Sequence, residues 1–150
     1  MAKTIDETLS IEMNAGAVRS RMSDPDLLPS IAMASGADHA TAAVDDEGVV
    51  TVIRRIQVPA AARAMVHGDS IEVVERRRWV QFGADVTITV TDLAVEVTGQ
   101  VLLEEHGARC IVHLRATAVA HMGFASPLAE GLIRDKLIEQ FRAEVETLRG

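Results

Sequence analysis

Three charged residues occupy positions where an alternating strand pattern calls for apolar ones. In "VIRRIQV", Arg54 shares its face with Val50, Val52, Ile56 and Val58. In "IEVVERRRW", Glu75 and Arg77 share theirs with Ile71, Val73 and Trp79. A lone charge taken out of water is costly, so these three must pair with one another, grip an anionic ligand, or escape through a register shift. The chemistry on offer is Arg54 or Arg77 holding a carboxylate or phosphate at a cavity mouth, with Glu75 as the one acid-base group beside them. The opposing reading makes "ERRR" a twisted, solvated strand in which a single bulge reverses the parity. Trp79 is either a cavity wall or simply the largest core residue.

Other chemistries find no residues to carry them. Of the five histidines, His113 and His121 share a strand face but lie eight residues apart, roughly 26 Å along a strand and too far for one ion. His106 falls in an expected turn, and His39 and His67 have no ligand spacing around them, so no metal is expected. No nucleophile elbow, phosphate loop or dinucleotide fingerprint occurs, and no cofactor is expected. Cys110, the only cysteine, has inward parity among aliphatics, where a thiol behaves as a small hydrophobe.

The net charge of −7 opposes nucleic acid, whose phosphates attract Lys and Arg. Trp79, Phe82, Phe124 and Phe141 are the only aromatics, too few for base stacking. Apolar runs fall well short of the roughly 20 residues a membrane-spanning helix needs. No secretory leader pattern and no possible internal disulfide point to a cytoplasmic location. With 150 residues, 48% of them hydrophobic, residues 1–150 form one domain with a full core.

The elements that must position the charged trio are mostly strands. "TIDETLSIEM" alternates, with Ile5, Glu7, Leu9, Ile11 and Met13 on one face. Two short helices follow and meet near "SDPD", with Asn14 capping the first and Asp24 before Pro25 opening the second. Hairpins are expected at "DDEG" and "EEHG", and a further turn at "FGAD". About seven strands result, mostly antiparallel. One face is oily: Cys110, Val112, Leu114, Ala116, Ala118 and Ala120 lie on it, as do Val95, Val97, Gly99, Val101 and Leu103. The alanine row lets a helix approach closely. That helix is the last segment, where Ser126 suits the N-cap and Pro127 the first helical position. Ala129, Ile133, Leu137, Phe141, Val145 and Leu148 then form one stripe, with Ile138 at its edge.

A strand, two short helices, six further strands and a long final helix is an order that resembles the helix-grip fold of the START-like, or SRPBCC, superfamily. The likeness is carried by "SDPDLLP", "VIRRIQVP", Trp79 in "RRRWV", and "FASPLAEGLIRDKLIEQFRAEVETL". It covers the whole chain and is similar to an actinobacterial domain-of-unknown-function branch, a source that the excess of Arg over Lys also suits. The resemblance implies an α+β fold, a curved antiparallel sheet gripping the C-terminal helix, and an apolar cavity between them. Relatives bind lipids, sterols, polyketides or hormones there. A small hydrophobic or amphipathic partner is therefore expected, contacting Arg54, Glu75, Arg77, Trp79, Ile133, Leu137 and Phe141. Two alternatives remain open: a cyclase or aromatase acting in the same cavity, and a protein-interaction module with no ligand. The sequence does not reveal the oligomeric state.

Overall fold

The computed structural model describes residues 2–149. Strand β1 (Lys3–Ile11) leads into α1 (Ala15–Met22) and α2 (Leu28–Ala34). Strands β2 (Ala37–Val44), β3 (Val49–Gln57), β4 (Ser70–Val80), β5 (Gly83–Val90), β6 (Val95–His106) and β7 (Arg109–Ala120) follow, and α3 (Ser126–Arg149) closes the chain. The seven strands form one sheet in the order β1-β7-β6-β5-β4-β3-β2. Every pairing is antiparallel. The sheet is curved, and its architecture is the expected helix-grip arrangement.

Alternation decides which face is dry. Along β7, Cys110, Val112, Leu114, Ala116, Ala118 and Ala120 are all buried, and along β6 so are Val95, Val97, Val101 and Leu103. Onto this face α3 lays Ala129, Ile133, Leu137, Phe141, Val145 and Leu148. Burying its five large side chains is worth on the order of 10 kcal/mol before chain ordering is counted. The helix packs on β1, β7 and β6, while α1 covers β6 and β7 and α2 covers β2 and β3. Close approach has a specific cause at Gly99, opposite Ala116. A Cβ there would fall 2.2 Å from the Arg115 carbonyl oxygen and 2.5 Å from Ala116 Cα, so no larger residue fits without moving backbone.

Local expectations fare unevenly. Asn14 does cap α1, its side chain accepting from the Ala17 amide at 2.8 Å. The "DDEG" turn forms with Gly48 at φ +79° and Asp45 Oδ1 accepting from the amides of Glu47 and Val49. Helix α2, by contrast, opens at Leu28 with Pro29 in its first turn, and Asp24 instead organises the preceding turn through the Leu27 and Leu28 amides. The "FGAD" turn is displaced. Val80 pairs with Gly83, leaving Gln81 and Phe82 as a two-residue loop with Gln81 at φ +54°. Extending the ladder through Ala84 and Asp85 outweighs the roughly 1 kcal/mol that a left-handed glutamine costs. Likewise Glu104, Glu105 and His106 pair with β7 rather than forming the turn, which tightens to Gly107 and Ala108. Ser126 is already helical, and its hydroxyl accepts from the Met122 amide at 2.8 Å.

Candidate functional site

The charged trio is buried, with Arg54 3%, Glu75 5% and Arg77 6% exposed. Strand β4 runs in register with both β3 and β5, so no bulge rescues these charges to solvent. They pair with one another and recruit a fourth partner from α3, Glu144, which is wholly buried. Arg54 Nη1 donates to Glu75 Oε1 at 3.0 Å, and Arg77 Nε donates to Glu75 Oε2 at 2.6 Å. The far edge of Arg77 meets Glu144 in a fork, Nη1 to Oε2 and Nη2 to Oε1, both at 2.7 Å. Charge-assisted bonds of this geometry are the strong ones. The result is a line of alternating charge, Arg54, Glu75, Arg77, Glu144, running from β3 across β4 to the helix.

Protonation follows from that line. Burial alone would push the Glu75 carboxyl up, but Arg77 and Arg54 outweigh it and hold the group down at about 2. Burial likewise disfavours the Arg77 cation, and Glu144 and Glu75 more than offset it, raising Arg77 above the ordinary guanidinium range. Both groups are ionised at neutral pH.

Two small voids flank the network between sheet and helix. The first touches Glu75, Arg77 and Gln140 and is otherwise walled by apolar residues including Ile5, Val97, Leu114 and Phe141; it measures about 20 Å³. The second touches Arg54, Ser35, Lys136 and Ile133 and also measures about 20 Å³. Each has room for one water. Leu137 and Gln140 line both, so these two side chains stand as the partition between them. At the rim, the Ser35 hydroxyl donates to Gln140 Oε1 and ties the end of α2 to α3.

Of the residues singled out from sequence, Arg54, Glu75, Arg77, Ile133, Leu137 and Phe141 converge here. Trp79 does not touch either void. It lines an open groove with α1 and the β2–β3 turn, where the Arg19 guanidinium lies 5.9 Å from the ring centre. Its Nε1 is buried and has no hydrogen-bond partner among the described residues. Glu144 and Gln140 escaped the sequence reading, as did Glu130, which is wholly buried and accepts from the Ala120 amide at 2.9 Å. The signal was present. Glu130, Ile133, Leu137, Phe141, Glu144 and Leu148 advance by three and four along one seam, and acids on such a seam should be read as buried.

The histidines also meet an unforeseen partner. His106 and His113 each place Nε2 3.0 Å from Glu104, on the sheet's outer face. Among the described residues no group of three His, Cys, Asp or Glu is arranged to hold a metal ion. No described helix is long and apolar enough to cross a membrane.

The family model described as "Protein of unknown function (DUF2505)" matches residues 6–150. The chain belongs to this family. No curated protein matches it in sequence. Among solved structures, it is similar to the Zhui aromatase/cyclase from Streptomyces sp. R1128, with TM-score 0.73 and 13% identity over 99% of this chain and 94% of the other. It is also similar to norcoclaurine synthase from Thalictrum flavum, with TM-score 0.67 and 16% identity over 99% and 94% of the two chains. A START superfamily protein from Mycobacterium smegmatis gives TM-score 0.66 and 10% identity over 97% and 96%. At these identities the likeness establishes the fold of this DUF2505 member.

Proposed function

We propose that the protein binds a small hydrophobic or amphipathic molecule between the sheet and α3, with residues 1–150 acting as one unit. The observation that carries this reading is the pair of voids beside a buried charge network, divided by Leu137 and Gln140. Mostly apolar walls with a few convergent polar groups are the usual make-up of a small-molecule site. Each void alone is water-sized, so a guest must push aside the Leu137 and Gln140 side chains and loosen the Ser35 contact at the rim. The buried line of Arg54, Glu75 and Arg77 then flanks the guest on its polar side, and Ile133, Leu137 and Phe141 on its apolar side, with Trp79 left to a separate groove. Support also comes from similar structures named for small-molecule chemistry: an aromatase/cyclase, and a norcoclaurine synthase solved with dopamine and hydroxybenzaldehyde.

That same likeness favours catalysis of the cyclase kind as a second reading. It ranks lower because Glu75, held at about 2, is a poor proton acceptor at neutral pH. An actinobacterial source is supported by thirteen Arg against two Lys, and a cytoplasmic location by the single cysteine.

Native mass spectrometry of the protein as isolated from cells, and of its Leu137→Ala variant, tests the proposal. An adduct of small-molecule mass, stripped by organic extraction and more abundant in the variant, is expected. No adduct in either form, together with no thermal shift from a panel of medium-chain lipids and aromatic polyketides, would overturn it.

A further inference from the structure

The two arginines of the network are not equivalent. Arg77 spends its Nε and both terminal nitrogens on Glu75 and Glu144. Arg54, equally buried, makes one hydrogen bond to the protein among the described residues, from Nη1 to Glu75. A guanidinium carries five N–H donors, so most of those on Arg54 have no protein acceptor. It is also the positive end of the alternating line, and it faces the second void.

The lining of that void differs in kind from the first. Its polar residues are Arg54, Lys136, Ser35 and Gln140, and no carboxylate lines it. Lys136, about a third exposed, stands at the rim, where Glu139 lies 3.6 Å away on the solvent side. Below lie Ile56, Val73 and Ile133. Two cations, a hydroxyl and an amide above an apolar floor make a receptor for an anionic head with a greasy tail.

We infer that Arg54, with Lys136, Ser35 and Gln140 around it, forms a head-group subsite for the carboxylate of an amphipathic acid, whose tail runs past Leu137 into the apolar void at Phe141. The inference rests on the binding reading above and adds the ligand's class and direction. The narrowness of the void favours a planar, two-oxygen carboxylate over a tetrahedral phosphate. Arg77 serves instead as the fixed spacer that holds Glu75 in place.

Calorimetric titration at neutral pH with octanoate, methyl octanoate and octyl phosphate tests it, on the wild-type chain and on Arg54→Met and Lys136→Met. Octanoate is expected to bind roughly tenfold or more tighter than its ester, the worth of a charge-assisted hydrogen bond. That preference should vanish in Arg54→Met and shrink in Lys136→Met, a rim change that leaves the buried line intact. Should Arg54→Met fail to fold, the wild-type comparison, the Lys136→Met variant and the shift of the Arg54 Nε–H resonance on adding octanoate decide the matter. Equal binding of acid and ester, or no movement of that resonance, overturns the head-group assignment while leaving the cavity reading standing. Tighter binding of octyl phosphate overturns the choice of carboxylate. If no probe binds, the head-group assignment falls, and the adduct and thermal-shift measurements above decide the cavity reading.

Discussion

Removing Arg77 probes the energetics of the site most directly. An Arg77→Met change deletes three charge-assisted hydrogen bonds of 2.6 to 2.7 Å while keeping an apolar side chain of comparable reach. The two carboxylates suffer unequally. Glu75 retains Arg54, whereas Glu144 is wholly buried and has no other hydrogen-bond donor among the described residues. Breaking a buried pair from one side costs about 3–5 kcal/mol, most of it the penalty on the stranded charge. A value of about 4 kcal/mol is expected, nearly all of it assignable to Glu144. The double change Arg77→Met with Glu144→Leu removes the stranded charge and should return the loss to within about 1 kcal/mol of wild type. Urea unfolding at neutral pH, with matched m values, reads both quantities. A single variant costing less than about 1 kcal/mol, or a double variant costing the sum of its parts, would refute the claim that Glu144 depends on Arg77.

Three further outcomes follow from the same structure. Because the Glu75 pKa is depressed from 4.5 to about 2 on folding, its stabilisation is fully present above pH 4.5 and is lost as pH falls toward 2. That share, on the order of 3 kcal/mol, should be missing from the acid limb of a Glu75→Gln variant's stability profile. Gly99→Ala forces a Cβ into the β7 backbone and should cost at least about 1–3 kcal/mol, read as a lowered melting midpoint by calorimetry. Asn14→Ala removes the cap on the Ala17 amide and should cost about 1 kcal/mol in denaturant titration, with the final helix unaffected.

Strand parity made the sheet legible. A period of two, kept over β5, β6 and β7, places each aliphatic row on one side without knowledge of its partners, and the register agrees. The same parity located Arg54, Glu75 and Arg77 inside. What it could not supply was the partner from a distant element: Glu144 is 67 residues from Arg77, and an acid on a helix is read as solvated unless its seam is followed. Turns were misplaced for a related reason. Acid-and-glycine clusters suggest where a chain can reverse, whereas the ladder decides where it does, and at Glu104 to His106 cross-strand pairing continued through residues that look like a loop. Trp79 carried inward parity, yet it stands near the end of β4, over α1 and the β2–β3 turn, so facing the concave side did not bring it to the voids.

The pairing of β1 with β7 has a kinetic meaning. Lys3 lies opposite Ala118 and Ile11 opposite Cys110, so the first strand finds its neighbour in the sheet about a hundred residues later. Contacts of such sequence separation are slow to form, because the intervening chain must be closed into a loop first. During synthesis β1 therefore waits with an unpaired edge, and the concave aliphatic surface has no lid until the 24 residues of α3 emerge. Yield in the cell should depend on how well that interval is protected from aggregation.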